Sequence, residues 1–217
     1  MKRFVCHRVS TAILMVILLA GLNMRVEAQS HYQFLLNGSA LTGVTGQLAF
    51  DFIGSDNASP NNTVTIEAFT TDGTLDLGGN NNTLGAMGDL PDSLTLTDTE
   101  FFNESSRGMT FNTALSYDVK LTENYESPGL PDQYAFFLLD SSGQSLLTTT
   151  DPTGSDALYT LDINGKAGGQ LTVYSSLTPN ISWQVNTVPA PAALYVYGLG
   201  FCLLLGRRRL RQRMPRT

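Results

Sequence analysis

The chain has 217 residues, two histidines, two cysteines and a formal net charge of −6. The charge is unevenly distributed, because residues 29–187 carry three basic side chains against 18 acidic ones, a net charge of −15. Such a body is not expected to bind nucleic acid or an anionic membrane by charge. The near-absence of histidine also argues against Ser-His-Asp and Cys-His catalysis and against zinc sites.

The first predicted element is a secretory signal peptide over residues 1–28. Its positively charged start contains Lys2, Arg3 and Arg8. An apolar run follows at 11–22, and small residues at the end of the segment predict cleavage after Ala28, with Ala20 as a less favoured site. An uncleaved anchor is the alternative, but the run is shorter than the ~20 residues that a membrane span needs.

Residues 29–187 are predicted to form one β domain. Apolar and polar residues alternate with period two in short segments, which is typical of half-buried antiparallel strands. The clearest alternations lie at 48–52, 64–68, 94–96, 115–121, 171–173 and 181–185. The nearly continuous apolar run 134–139 predicts an interior strand, and clusters of turn-forming residues separate the segments, the longest of them at 78–88.

This pattern predicts an all-β fold, with about ten to twelve strands in an antiparallel β-sandwich of jelly-roll type. A right-handed β-helix is the alternative, and the lack of a fixed-period repeat counts against it. Cys6 and Cys202 lie outside residues 29–187, so the domain is expected to have no disulfide. Residues 185–191 are interpreted as the linker to the C-terminal segment.

Carboxylates are the main candidates for chemistry in the domain. A glycosidase needs two of them about 5 to 10 Å apart across a cleft. Five glutamates could supply such a pair, namely Glu67, Glu100, Glu104, Glu123 and Glu126. Nothing in the pattern indicates that two of them converge, so we predict that the protein is not an enzyme.

Calcium bound by loop oxygens is the one candidate cofactor site. The candidate ligands are three aspartate pairs, Asp72 with Asp76, Asp89 with Asp92, and Asp151 with Asp156. None of the pairs matches an EF-hand loop, and the ordinary role of aspartate in turns explains each one. The prediction is therefore that the protein has no cofactor and no metal site.

Exposed aromatic side chains could bind carbohydrate by stacking on sugar rings. Trp183 alternates with other apolar residues in 181–185 and is expected to lie in the core. Phe101 and Phe102 are adjacent and break the alternation, so one of the two rings should face outward, while Tyr125 lies in a predicted loop.

The C-terminal segment, residues 188–217, contains the most specific pattern in the chain. A Pro-x-Pro motif is formed by Val188, Pro189, Ala190, Pro191 and Ala192. The uncharged run 192–206 predicts a single transmembrane helix that starts after the prolines. Six arginines follow, beginning with the membrane-stop charges Arg207, Arg208 and Arg209, and the positive-inside rule places them in the cytoplasm. A plain tail anchor is the alternative.

The motif, the apolar run and the arginine cluster together resemble the PEP-CTERM class of bacterial sorting signals. They are most similar to the VPLPA-type variant, and Ala190 stands where the Pro-Glu-Pro form has glutamate. The resemblance implies a Gram-negative bacterium, export by the Sec machinery and transient insertion in the inner membrane. It also implies recognition and cleavage by an exosortase-like enzyme, and an association with exopolysaccharide or biofilm.

The body is also similar to an uncharacterised family of PEP-CTERM-associated exported proteins. The similar stretches are 46–52, 88–90, 94–98, 101–103, 115–119 and 135–140. This resemblance implies no activity. The predicted function is that of an exported structural protein of the cell surface or extracellular matrix, and the alternative is a lectin-like carbohydrate-binding module.

Overall fold

A computed structural model describes residues 29–54, 62–124, 131–163 and 169–189. These residues form thirteen β-strands and one short 3-10 helix, Ser39–Leu41. The predicted signal peptide and the predicted helix at 192–206 lie outside the described residues. Within the four described ranges, no helix has the length and apolar character needed to cross a membrane.

The strands are numbered in chain order. The first seven are β1 (Gln29–Gly38), β2 (Thr45–Ile53), β3 (Thr63–Thr71), β4 (Thr74–Leu75), β5 (Asn81–Asn82), β6 (Ala86–Asp89) and β7 (Ser93–Thr97). The other six are β8 (Phe102–Thr110), β9 (Ala114–Thr122), β10 (Asp132–Leu139), β11 (Tyr159–Ile163), β12 (Gln170–Val173) and β13 (Ile181–Thr187).

The strands form two antiparallel sheets, so the predicted all-β class is confirmed. Sheet A has the order β13-β1-β9-β3-β7-β6, and sheet B has the order β12-β11-β10-β2-β8-β4, with β5 also paired to β8. β10 lies between β11 and β2, which is the interior position that its apolar run predicts. The chain repeatedly crosses from one sheet to the other, because β1, β3 and β9 belong to sheet A while β2, β8 and β10 belong to sheet B.

The inward-facing residues of the two sheets meet in one core, and Phe34 of β1 lies at its centre. The ring centroid of Phe34 is 4.9 Å from that of Tyr117 on β9 of the same sheet. Across the core it is 5.1 Å from the ring of Phe136 on β10 and 5.5 Å from the ring of Tyr159 on β11. Such aromatic contacts stabilise the packing of the sheets beyond the effect of buried area alone.

Three tyrosine hydroxyls are buried in this core and interact with one another. The hydroxyls of Tyr117 and Tyr159 are 3.0 Å apart, and the Tyr159 hydroxyl donates to that of Tyr134 at 3.4 Å. Burial raises the pKa of all three groups above its ordinary value, so they are uncharged at neutral pH. Their mutual hydrogen bonds reduce the cost of placing polar groups in an apolar core.

β3 departs from the alternation predicted for 64–68. Val64 and Ile66 are buried as expected, but Ala68 is exposed and has a φ of 52°. The register between β3 and β9 shifts between Glu67 and Thr70, which identifies a β-bulge. The extra residue places Phe69, instead of Ala68, against the core.

The alternation does not predict β8, because its buried side is polar. Asn103, Ser105 and Arg107 are buried opposite the apolar residues of β2. The segment 78–88, predicted as a loop, covers them and contains β5 and most of β6. The side chain of Asn80 donates to the Ser105 hydroxyl at 2.9 Å, and Arg107 Nη1 donates to Asp89 Oδ1 at 2.6 Å.

Candidate functional site

The two ends of the described domain lie side by side at one edge of sheet A. Tyr32 of β1 is opposite Thr187 of β13, and the Val188 N–H donates to the His31 carbonyl at 2.8 Å. Residues 185–187, predicted as part of the linker, therefore belong to β13. The chain enters and leaves the domain at neighbouring positions.

The predicted sorting motif begins where this strand pairing ends. Proline has no N–H to donate, so Pro189 cannot continue the ladder after Val188. Ala190, Pro191 and Ala192 lie outside the described residues, as do Ala28 at the predicted signal cleavage site and the three arginines Arg207, Arg208 and Arg209.

The glutamates considered for a hydrolase are dispersed in the structure. Glu67 on the outer face of sheet A forms an ion pair with Lys120, and Glu123 accepts a hydrogen bond from the Ser30 hydroxyl. Glu104 lies on β8 of sheet B, and Glu126 is outside the described residues. No two described glutamates are cross-strand neighbours.

An aspartate, which sequence reasoning did not single out, lies beside Glu104. Asp51 of β2 is directly opposite Glu104 of β8 on one side and Ala135 of β10 on the other. Asp51 Oδ1 is buried and has no hydrogen-bond partner. Burial, and to a smaller extent the neighbouring Glu104 carboxylate, raise the pKa of Asp51 to about 7. The Asp51 carboxyl group therefore stays protonated to a higher pH than an ordinary aspartate.

Of the aspartates considered for calcium, Asp72 accepts hydrogen bonds from the turn between β8 and β9, and Asp151 accepts them from its own loop. Asp72 accepts from the N–H groups of Thr113 and Ala114, at 3.0 Å and 2.8 Å. Asp151 Oδ1 accepts from the Thr153 N–H at 2.9 Å, and its Oδ2 accepts from the Ala157 N–H at 3.1 Å. In the part of the chain that the structure describes, no group of three or more His, Cys, Asp or Glu side chains is arranged to bind a metal ion.

Two adjacent aromatic rings are exposed near the start of β8. Phe101 is 74% exposed and Phe102 is 44% exposed, whereas the sequence predicts that one of them faces outward. Trp183 is half-buried against the core, and its indole N–H donates to the Leu158 carbonyl at 3.0 Å, as expected for a packing residue. Tyr125 lies outside the described residues.

Comparison of the chain with protein-family models, curated proteins and solved structures found no match. Function is therefore inferred from the pattern of residues 188–217, the paired ends of the domain and its exposed aromatic rings.

Proposed function

We propose that this protein is an exported structural protein of the surface or extracellular matrix of a Gram-negative bacterium. The signal peptide 1–28 directs it to the Sec machinery and is removed by signal peptidase after Ala28. The helix 192–206 then keeps it transiently in the inner membrane. An exosortase-like enzyme recognises the motif 188–192 and removes the tail. The observation that carries this proposal is the conjunction of Pro-x-Pro, a short apolar run and an arginine cluster within residues 188–217.

The position of the domain ends supports this route. Because β1 and β13 are neighbours, both predicted membrane-directed segments join the domain at the same end. β1 rises about 3.3 Å per residue, so Asn37 lies roughly 26 Å from Gln29. The strongly acidic domain also has no electrostatic attraction to an anionic membrane surface.

We also propose that the two sheets form a β-sandwich of jelly-roll type. The strand order β7-β3-β9-β1 in sheet A and β8-β2-β10-β11 in sheet B supports it. This is the adjacency of two interlocked Greek keys in a chain that starts at the sixth jelly-roll strand. In this interpretation β13 extends sheet A beyond β1, and β4, β5, β6 and β12 are additions at the sheet edges.

The proposed route predicts a defined mass for the mature protein. Intact mass spectrometry of the protein from its native host should give a chain that starts at Gln29 and ends near Pro191 or Ala192. Replacing both motif prolines, in a Pro189→Ala/Pro191→Ala variant, should leave the tail attached. Pro179→Ala is the matched control, because it changes a proline outside the motif. A wild-type mass that extends to Thr217 would instead establish a permanent tail anchor.

Carbohydrate binding is a second candidate function, favoured by the exposed rings of Phe101 and Phe102. Aromatic faces can stack on the apolar faces of sugar rings. Phe101→Ala is expected to reduce several-fold the fraction of full-length protein that co-sediments with insoluble exopolysaccharide from the host. Leu177→Ala is the control, since Leu177 is an exposed aliphatic residue elsewhere on the surface. Equal losses in the two variants would contradict a specific role for the ring.

A further inference from the structure

A cavity of about 330 Å³ opens on the outer face of sheet A, at the end of the domain away from Gln29 and Val188. Leu35 of β1 lies opposite Ser116 of β9, which in turn lies opposite Thr70 of β3. These three residues form one row across the sheet and line the cavity, and Asn37 and Asp72 line it at the sheet end. We name this cavity the bulge groove.

The bulge in β3 immediately precedes this row. Glu67 pairs with Asp118 of β9 and Thr70 pairs with Ser116, so Ala68 and Phe69 between them have no pairing partner of their own in β9. A bulge bends its strand and increases the local twist, which re-aims the residues that follow. Ala68 has a positive φ, a conformation that is unfavourable for residues other than glycine and that persists where the surrounding structure imposes it.

The wall of the groove at Asp72 is fixed and negatively charged. The Asp72 carboxylate accepts hydrogen bonds from the Thr113 hydroxyl at 2.5 Å, the Ala114 N–H at 2.8 Å and the Asn112 side-chain amide at 3.1 Å. The Thr113 hydrogen bond is the main cause that lowers the pKa of Asp72 below its ordinary value, and the backbone N–H of Ala114 contributes next. The carboxylate therefore stays ionised at any pH near neutral, which disfavours an anionic ligand.

The remaining polar groups can both donate and accept hydrogen bonds. The hydroxyls of Thr70 and Ser116 are 2.7 Å apart, and each keeps capacity for a further partner. Asn37 is exposed at the rim and offers an amide N–H and an amide oxygen. Together with the apolar side chain of Leu35, these groups match a sugar ring, which carries hydroxyls around its edge and C–H groups on its faces.

We infer that the bulge groove binds a neutral hexose unit of a polysaccharide. The volume supports this ligand class, since it lies at the lower end of the ~300–1,000 Å³ range of small-molecule sites. The inference rests on the second proposed function, carbohydrate binding, and names a site and a ligand class for it. The groove is distal from the paired domain ends, so the segments that direct the chain to the membrane leave from the other end.

NMR titration of the full-length chain tests this site, in a detergent whose head group is not a sugar. The probes are the methyl glycosides of glucose, galactose and mannose, with methyl glucuronoside as the anionic comparison. At least one neutral glycoside should shift the amide signals of Leu35, Asn37 and Ser116, with a Kd in the millimolar range. The glucuronoside should bind at least about fivefold more weakly, because the ionised Asp72 repels it.

Ser116→Leu fills the groove and removes one hydroxyl, so the Kd of the bound glycoside should rise at least about tenfold. Thr95→Leu places the same side chain on the same sheet face outside the groove, and its Kd should match wild type. If the amide spectrum of Ser116→Leu shows that this variant is unfolded, the test uses Asn37→Ala at the exposed rim instead. For Asn37→Ala we expect the Kd to increase about threefold.

The outcomes separate this inference from the function on which it rests. Shifts confined to the amides of Phe101 and Phe102 would overturn the groove while leaving carbohydrate binding in place. If Ser116→Leu and Asn37→Ala both bind the glycoside with wild-type affinity, the groove inference is likewise overturned and carbohydrate binding elsewhere remains. If no neutral glycoside shifts any amide signal, the groove inference is overturned, and the co-sedimentation of Phe101→Ala with exopolysaccharide decides the second proposed function separately.

Discussion

Replacement of Phe34 by alanine is expected to lower the free energy of unfolding by about 3 to 5 kcal/mol. The Phe34 side chain is fully buried and contacts one ring of its own sheet and two rings of the opposite sheet. Its removal leaves a cavity at the point where the two sheets meet, in addition to the loss of buried apolar surface. A loss of this size is a large part of the ~5–15 kcal/mol that stabilises a typical domain.

Urea unfolding of the full-length chain, followed by tyrosine and tryptophan fluorescence, measures this loss. Gln33→Ala is the matched control, because Gln33 is the preceding residue in β1 and faces outward. Its effect is expected to stay within about 0.5 kcal/mol. A Phe34→Ala variant no less stable than Gln33→Ala would mean that the aromatic cluster does not determine how the sheets pack.

Strands with one apolar face could be predicted from the sequence. β2, β7, β9 and β10 follow their period-two patterns or apolar run, because each places apolar residues against the core. β8 could not be predicted, since Asn103, Ser105 and Arg107 occupy its buried side. The side-chain partners of Ser105 and Arg107 lie 18 or more residues earlier in the chain, so the local sequence of β8 gives no indication of them.

The bulge in β3 escaped prediction for a related reason. The alternation over 64–68 assigns Ala68 to the core although apolar Phe69 follows it directly, and the register with β9 identifies the extra residue. The bulge groove depends on that register, because its lining residues come from three strands and a turn. The predicted sorting motif differs from both, since its residues are contiguous and the prediction needs only a local pattern.

The environment of Asp51 also could not be predicted from the local sequence. Alternation with Phe50 and Phe52 places Asp51 on the outer face of a strand, where a carboxylate is unremarkable. Its neighbour Glu104 is 53 residues later in the chain, and the two meet only because β2 pairs with β8 in one register. A shift of the register by one residue would remove the pair.

The domain is expected to lose stability as the pH rises from about 4 to about 7, because of Asp51. Its pKa is 3.8 in an ordinary environment and about 7 in the folded protein, so the folded state binds more protons in this interval. Stability therefore decreases with rising pH and levels off above about pH 8. At about 1.4 kcal/mol for each tenfold change in proton affinity, the upper limit of the loss is about 4 kcal/mol, and partial contact with water reduces it.

The Asp51→Asn variant isolates this contribution, because it removes the titrating group with little change in shape. As the pH rises from 4 to 8, the unfolding free energy of Asp51→Asn should increase relative to that of wild type. Asp72 and Asp140 do not interfere, since hydrogen bonds lower their pKa values and they affect stability only in more acidic solution. Parallel pH profiles for Asp51→Asn and wild type would contradict the raised pKa.

The Glu104→Gln variant then separates the two causes of the raised Asp51 pKa, which are burial and the charge of Glu104. Burial is the larger cause and the Glu104 charge the smaller, so this variant should keep more than half of the pH dependence. On the β10 side, Asp51 lies opposite Ala135 and diagonal to Gln133. Both are uncharged, so neither can replace the repulsion from Glu104. If Glu104→Gln instead removes the whole effect, repulsion between the two carboxylates dominates. Asp51 would then be accessible enough to water that burial alone does not protonate it.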